Sequence, residues 1–206
     1  MLVTGGLIPQ AFFLRPVEVV ARELLGACLC REGVVLRLTE VEAYGGPEDS
    51  ASHCRFGRTA RNAPMWCAGG RAYVFVCYGL HAMLNVVAGP EGAGAAVLLR
   101  AAEVLEGHER VRERRGGRLD LAGPGKLAQA LALDRSYNDH PLFEAGGLEL
   151  RKGYPPRAVL CGPRVGVDYA EPCDRERPWR FADAEGPRPV QARSLGPLES
   201  EGFRGA

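Results

Sequence analysis

The sequence predicts an α+β fold with a curved, mainly antiparallel β-sheet, flanking helices and a protruding β-hairpin. Short apolar runs rich in β-branched and aromatic residues recur along the chain between glycine and proline turns, as is typical of strands. Helical patterns are mixed with these runs, which favours the α+β class. The 206 residues contain no internal repeat and no linker, so residues 1–206 are predicted to form a single domain with a core. Residues 1–15 are expected to be flexible.

The first elements follow from local patterns. Residues 17–25 carry an apolar stripe between a proline and a glycine, which predicts a helix. Residues 27–31 and 34–42 are predicted to be strands joined by a glycine turn. A short helical turn is expected to carry His53.

The middle of the chain predicts a β-hairpin. Residues 73–78 and 83–88 have the composition of strands, and a glycine between them indicates a bend. Tyr78 is therefore expected near the hairpin tip. The other predicted elements are a strand over 95–99 ending at Arg100, helices over 103–115 and 126–133, and strands over 148–151, 158–161 and 164–167.

Composition excludes several classes of protein. The formal net charge of +1 gives no global electrostatic argument for nucleic-acid binding, so any such argument depends on where the charges lie. Seven scattered cysteines without a Cys-x-x-Cys pair indicate reduced thiols in a cytoplasmic protein. We expect no signal peptide and no membrane span, because the N-terminus lacks a basic start and no apolar run is long enough.

Residues of the types that bind metal ions occur in the first half of the chain, namely Glu42, Glu48, Asp49, His53 and His81. No pair of them has the spacing of a known metal-binding motif, and a Pro-Glu-Asp run is typical of a helix start. We therefore predict no metal site and no cofactor.

A glycine-rich stretch, Gly123-Pro124-Gly125-Lys126, resembles a phosphate-binding loop only in part. Leu127 replaces the Ser or Thr that would bind magnesium, and Asp120 replaces the first required glycine. A glycine turn that begins a helix is the better interpretation. A lysine at that helix start could still contact a phosphate.

The functional hypothesis rests on residues 36–100. Strand alternation places Glu42 and Tyr44 on one face, a carboxylate beside an aromatic ring. A carboxylate at the end of an apolar strand is costly without a role or a partner. Tyr78, at an expected hairpin tip near arginines, is a candidate wedge into stacked bases. The combination is typical of a site for a flat base and a phosphate backbone.

Basic residues are concentrated near this site. The charged residues of the window 51–100 are Arg55, Arg58, Arg61, Arg71, Arg100 and Glu91. Contacts to DNA phosphates are therefore expected there, with Arg58, Arg61 and Lys126 as the candidate residues.

Together, these residues resemble the alkyladenine (3-methyladenine) DNA glycosylase family over nearly the whole chain. The motifs are Val41-Glu42-Ala43-Tyr44, Gly46-Pro47-Glu48-Asp49 followed by His53, Arg61-Asn62, Tyr73-Val74-Phe75, Tyr78-Gly79, Met83-Leu84-Asn85, Val97-Leu98-Leu99-Arg100-Ala101, Gly123-Pro124-Gly125-Lys126-Leu127 and Arg164-Val165-Gly166-Val167. Their order and spacing are jointly specific to this family.

The resemblance implies a role for each matching position. It implies that Glu42 activates the hydrolytic water, which Arg100 and the backbone carbonyl of Val165 help to place. It implies that Tyr44, His53 and Phe75 enclose the flipped base. Asn85 would line the pocket floor, where it disfavours the amino group of normal guanine, and Tyr78 would fill the gap left in the duplex. Two positions depart from the family, since Phe75 replaces a tyrosine and Ala60 a proline.

The implied function is excision of damaged purines from double-stranded DNA by hydrolysis of the N-glycosidic bond. A glycosylase that also cleaves the strand needs an amine for a Schiff base. The chain has only two lysines, Lys126 and Lys152, and both lie outside the Glu42 segment. We therefore predict a monofunctional enzyme, acting as a monomer.

Two alternatives remain at this point. A protein that binds damaged bases without catalysis would not need Glu42 or Arg100. A hydrolase of free nucleosides would not need an exposed Tyr78 or a basic loop. Both features are present, which favours the glycosylase.

Overall fold

The structure is a computed structural model that describes residues 4–198. The helices are α1 (Gln10–Phe13), α2 (Val17–Leu24), α3 (His108–Arg114), α4 (Pro124–Ala130) and α5 (Pro172–Arg175). The strands are β1 (Cys28–Arg31), β2 (Val34–Tyr44), β3 (Ala72–Cys77), β4 (His81–Ala88), β5 (Ala95–Glu106), β6 (Glu149–Arg151), β7 (Val159–Gly162), β8 (Arg180–Asp183) and β9 (Gly196–Pro197). The predicted flexibility of residues 1–3 and the domain assignment of 199–206 lie outside the described residues.

Within residues 4–198 the strands form one nine-stranded sheet with antiparallel pairings. Its order is β3-β4-β5-β2-β8-β7-β9, with β1 paired to β2 and β6 paired to β1. The long central pair β2 and β5 changes register after Val35 and again on both sides of Glu40. Such irregularities bend and twist strands. The α+β class and the mainly antiparallel sheet are confirmed.

The main hydrophobic core joins α2 and α4 to the sheet. A proline lies at the start of each of these two helices, where its fixed φ is favourable. Val41 and Ala43 of β2 belong to this core. Because successive residues of a strand point to opposite faces, Glu42 and Tyr44 face away from it. This alternation positions the site.

The predicted helix over 103–115 is wrong in its first part. β5 continues as a strand to Glu106, and Gly107, with a φ of 78°, separates it from α3. Val104 lies opposite Leu36 of β2. Pairing with β2 therefore outweighs the charged, helix-like pattern of this segment.

Three further predictions differ from the structure. The predicted strand over 164–167 is irregular, with a bend at residues 165 and 166. In place of the short helical turn expected at His53, residues 53–56 form turns that are not part of a helix. No strand was predicted after residue 167, but residues of β8 pair with β2 and β7. β8 forms through pairing with two strands that are distant in sequence, and sequence patterns do not report such contacts.

The segment before α2 contacts the core. Ile8 and Phe13 are buried, and the Ile8 amide donates a hydrogen bond to the Leu150 carbonyl.

Among the described residues, we find no helix with the length and apolar character needed to cross a bilayer.

Candidate active site

A cavity of about 580 Å³ lies where β2, β3, β4 and β5 meet two loops. This volume is in the range of small-molecule sites. The predicted site residues that line it are Tyr44, His53, Arg61, Phe75, Tyr78, Asn85, Arg100 and Val165. Residues distant in sequence are thus brought together as expected.

Glu42 is fully buried behind this lining. Its Oε2 accepts hydrogen bonds from the Tyr44 hydroxyl at 2.8 Å and from Arg100 Nη1 at 3.2 Å. Its Oε1 accepts one from the Val165 amide at 2.7 Å. The contact with Val165 therefore uses its N–H group, a contact that the sequence did not predict. All three donors line the cavity, so the carboxylate is held directly behind its wall.

The electrostatic setting of Glu42 combines opposing effects. Burial raises the pKa of Glu42 above that of an ordinary glutamate. Arg100, the Val165 amide and the Tyr44 hydroxyl stabilise the carboxylate and offset part of this increase in pKa. Burial and the neighbouring Glu42 charge also raise the pKa of Tyr44, so this residue acts as a hydrogen-bond donor.

Two charged residues that were not predicted complete this cluster. Glu40 Oε1 accepts hydrogen bonds from Arg100 Nε at 2.8 Å and from Arg180 Nε at 2.7 Å. Glu40 and Arg180 are almost fully buried. Strand alternation could have indicated Glu40, which lies two residues before Glu42. No pattern in the sequence indicated that Arg180 belongs to this cluster.

A second buried ion pair supports Tyr44. Arg164 bonds Asp49 through Nη1 at 2.6 Å and Nη2 at 2.9 Å, a bidentate geometry. The guanidinium carbon lies 4.8 Å from the centre of the Tyr44 ring. Asp49 thus forms an ion pair with an arginine. Asp49 was noted in the sequence as part of the Gly46-Pro47-Glu48-Asp49 motif, but no sequence pattern indicated its pairing with Arg164.

Aromatic side chains form one wall of the cavity. The His53 and Phe75 ring centres lie 4.5 Å apart at 78°, and Tyr73 lies 5.8 Å from Phe75. His53 Nδ1 is 3.0 Å from the Tyr73 hydroxyl. Partial burial and the cations Arg61 and Arg55 lower the pKa of His53, which favours a neutral ring. Burial raises the pKa of Tyr73 to about 12, so it remains a neutral phenol.

Asn85 lies on β4, directly opposite Tyr73 of β3. It is buried, and its Nδ2 donates a hydrogen bond to the Tyr73 carbonyl at 3.1 Å. This bond fixes the side-chain amide at the cavity surface.

Tyr78 lies in the turn between β3 and β4, and 93% of it is exposed. Both central residues of this turn have positive φ, 50° at Tyr78 and 72° at Gly79. The Leu80 amide bonds to the Cys77 carbonyl, which closes the turn. The left-handed region is unfavourable for a bulky residue, so the conformation of Tyr78 is strained. Leu80, also strongly exposed, was not singled out from the sequence.

The three candidate phosphate contacts differ in position. Arg58 and Arg61 are exposed in the loop after His53, and Arg61 lines the cavity. Lys126 instead forms an ion pair with Asp120. A phosphate contact by Lys126 would therefore require exchange of this partner.

Among the described residues, no group of three or more His, Cys, Asp or Glu side chains is arranged to hold a metal ion. The carboxylates nearest the cavity, Glu42 and Asp49, are bound by arginines and backbone amides instead. The chemistry available at the cavity is that of a buried carboxylate, hydrogen-bond donors and aromatic rings.

Comparisons with known proteins identify relatives of this chain. The model of the methylpurine-DNA glycosylase family matches residues 11–187. A DNA-3-methyladenine glycosylase of Arabidopsis thaliana is 51% identical over 186 residues, which cover 88% of this chain and 73% of that protein. A protein of Nitrosococcus oceani, named as a candidate 3-methyladenine DNA glycosylase, is 53% identical over 184 residues, which cover 88% of this chain and 92% of that protein.

Proposed function

The chain belongs to the methylpurine-DNA glycosylase family, and from this premise we propose that it extrudes damaged purines from duplex DNA and hydrolyses their N-glycosidic bonds. In this proposal Glu42 activates the attacking water. The observation that carries it is the Glu42 carboxylate, buried directly behind an aromatic cavity and bound by three donors that line the cavity.

The first step is extrusion of the nucleotide. A base in a duplex hides its glycosidic bond, and extrusion costs a few kcal/mol of stacking and pairing. Tyr78 would fill the space left in the duplex, and its 93% exposure at a turn supports this role. Arg58 and Arg61, exposed in the adjacent loop, would bind flanking phosphates.

The second step is recognition of the base. Tyr44, His53 and Phe75 would enclose the flipped purine, with stacking worth about 1–3 kcal/mol for a base. An alkylated purine such as 3-methyladenine is positively charged, and electron-rich ring faces attract it further. Asn85 would disfavour the amino group of normal guanine, because its buried amide is fixed by the Tyr73 carbonyl.

The third step is hydrolysis. A cationic base is a good leaving group, so the sugar develops oxocarbenium character without strong acid catalysis. The Glu42 carboxylate would stabilise that positive charge and take a proton from water, as a carboxylate does in glycoside hydrolysis. Among the described residues, Oε1 accepts only the Val165 amide and Oε2 accepts two donors. Oε1 therefore has lone-pair capacity for the water, which Arg100 and the Val165 carbonyl would help to place.

We propose that the enzyme does not cleave the DNA strand. Among residues 4–198, none that lines the cavity is a lysine able to form a Schiff base. We also propose that the enzyme acts as a monomer.

Two other functions fit the site less well. A non-catalytic protein that binds damaged bases has no need for a buried carboxylate, whose desolvation is costly. A nucleoside hydrolase has no need for a tyrosine held in a strained turn at the surface.

The test is single-turnover base release from duplexes containing 3-methyladenine, 7-methylguanine, hypoxanthine or ethenoadenine, beside the corresponding free nucleosides. We expect release from the duplex and not from the nucleosides. Glu42→Gln should bind lesion duplex as the wild type does and release no base. Full activity of this variant would refute the role of Glu42, and a covalent adduct trapped by borohydride would refute the monofunctional assignment.

A further inference from the structure

Glu40 lies at the centre of the buried charge cluster without touching the cavity. It is 1% exposed, and its Oε1 accepts the Nε–H groups of both Arg100 and Arg180. Its other oxygen, Oε2, is buried and has no hydrogen-bond partner among the described residues. Glu40 thus commits a single oxygen to two guanidinium groups.

The geometry of Arg100 depends on this contact. A guanidinium group is planar and rigid, so two hydrogen bonds from different nitrogens fix both its position and its plane. For Arg100 these bonds are the one from Nε to Glu40 at 2.8 Å and the one from Nη1 to Glu42 at 3.2 Å. The bond to Glu40 is the shorter of the two, and it uses a different nitrogen from the bond to Glu42.

Arg180 holds Glu40 from the other side. It is fully buried in β8, directly opposite Glu42 in the strand pairing. Its Nη groups donate to the backbone carbonyls of Val190 and Gln191 and to Ser194 Oγ. Glu40 therefore lies between two guanidinium groups. That of Arg180 is bonded to Val190 and Gln191, and that of Arg100 faces the cavity.

We propose that Glu40 is a positioning residue, which orients the Arg100 guanidinium against the Glu42 carboxylate and the reacting sugar. This inference rests on the proposed function, in which Glu42 activates the water and Arg100 helps to place it. A buried ion pair by itself is weak support for a stabilising role. The shared oxygen and the cavity-facing position of Arg100 indicate a role in orientation instead.

The test is Glu40→Gln, which keeps the shape and one acceptor oxygen but removes the charge that holds two guanidinium groups. We expect the single-turnover rate constant on lesion duplex to fall by about 10-fold to 100-fold, as small misplacements of catalytic groups do. The dissociation constant for lesion duplex should stay within about twofold of the wild type, because the aromatic cavity is unchanged.

The matched control is Asp183→Asn. Asp183 is a buried carboxylate on β8 that pairs with Arg37 at 2.8 Å, outside the cavity lining. The Asp183→Asn substitution also removes a buried negative charge, and we expect its single-turnover rate constant to be close to that of the wild type. An equal loss in this control would show that general destabilisation, rather than orientation of Arg100, slows the reaction, and would overturn the proposal.

A double-mutant cycle with Arg100→Gln isolates the pathway. If Glu40 acts through Arg100, Glu40→Gln should cause no further loss in the Arg100→Gln background. Additive losses would overturn the proposal, and so would an unchanged rate in Glu40→Gln. Loss of lesion binding together with a lower melting temperature would assign Glu40 a structural role instead. If the wild type releases no base, the proposed function itself fails. If Glu42→Gln is inactive but Glu40→Gln is fully active, only the positioning role of Glu40 is rejected.

Discussion

Replacing Tyr44 by phenylalanine removes one hydrogen bond from the Glu42 carboxylate and keeps the aromatic ring. The hydroxyl lies 2.8 Å from Glu42 Oε2 and stabilises the charged form. Burial already raises the pKa of Glu42, and loss of this donor should raise it further. Because the proposed reaction needs the carboxylate, activity is present above this pKa and is lost as the pH falls through it. Tyr44→Phe should therefore move the acidic limb of the pH–rate profile to higher pH.

The size of this shift follows from the strength of the bond. A hydrogen bond to a buried charged group contributes about 1.5–3 kcal/mol. Since one pKa unit corresponds to about 1.4 kcal/mol, the limb should move by about 1 to 2 pH units. At pH values above both limbs, the rate constants of the variant and the wild type should agree, because the ring remains and Glu42 is ionised in both.

The assay is single-turnover release of 7-methylguanine, a cationic base that needs little acid catalysis, from about pH 5 to about pH 8. Tyr73→Phe is the control for the position of the limb, because its hydroxyl bonds to His53 rather than to Glu42. A limb that stays in place in Tyr44→Phe, or one that moves equally in Tyr73→Phe, would contradict the assignment of this limb to Glu42.

Three further predictions concern recognition. Phe75→Ala should weaken lesion-duplex binding by about 1–3 kcal/mol in a fluorescence anisotropy titration, without changing affinity for undamaged duplex. Tyr78→Gly should lower lesion affinity yet leave the melting temperature near that of the wild type, because glycine relieves the left-handed strain at φ 50° while making the unfolded chain more flexible. Arg58→Gln should reduce the slope of log affinity against log salt by about one, whereas Arg110→Gln on α3 should leave it unchanged.

The part of the site that sequence could predict lies on local motifs. Glu42 and Tyr44 follow the two-residue period of a strand, and Tyr78 precedes a glycine where a hairpin must turn, so neighbouring residues carried the information. The family suggested by these motifs is confirmed by a match over residues 11–187. The α+β class followed from strand-like composition, but the end of β5 did not, because pairing with β2 extends that strand into a charged segment.

The partners of Glu42 and Glu40 were harder to find. Arg180 bonds to a residue 140 positions away in sequence, from a tail segment whose strand forms only through pairing with β2 and β7. The Val165 amide reaches Glu42 from a bend in a segment that was predicted to be a strand. Long-range hydrogen bonds of this kind leave no periodic pattern in one sequence.

The buried cluster must meet two opposing requirements. Its groups carry two carboxylates, Glu40 and Glu42, and two guanidinium groups, Arg100 and Arg180, so the formal charges balance in the interior. The low dielectric that raises the pKa of Glu42 also strengthens its attraction for a positive sugar. Too strong an ion pair with Arg100 would cancel that attraction. Arg100 contacts both carboxylates, Glu40 at 2.8 Å and Glu42 at 3.2 Å, so its charge is shared between them and does not neutralise Glu42 alone.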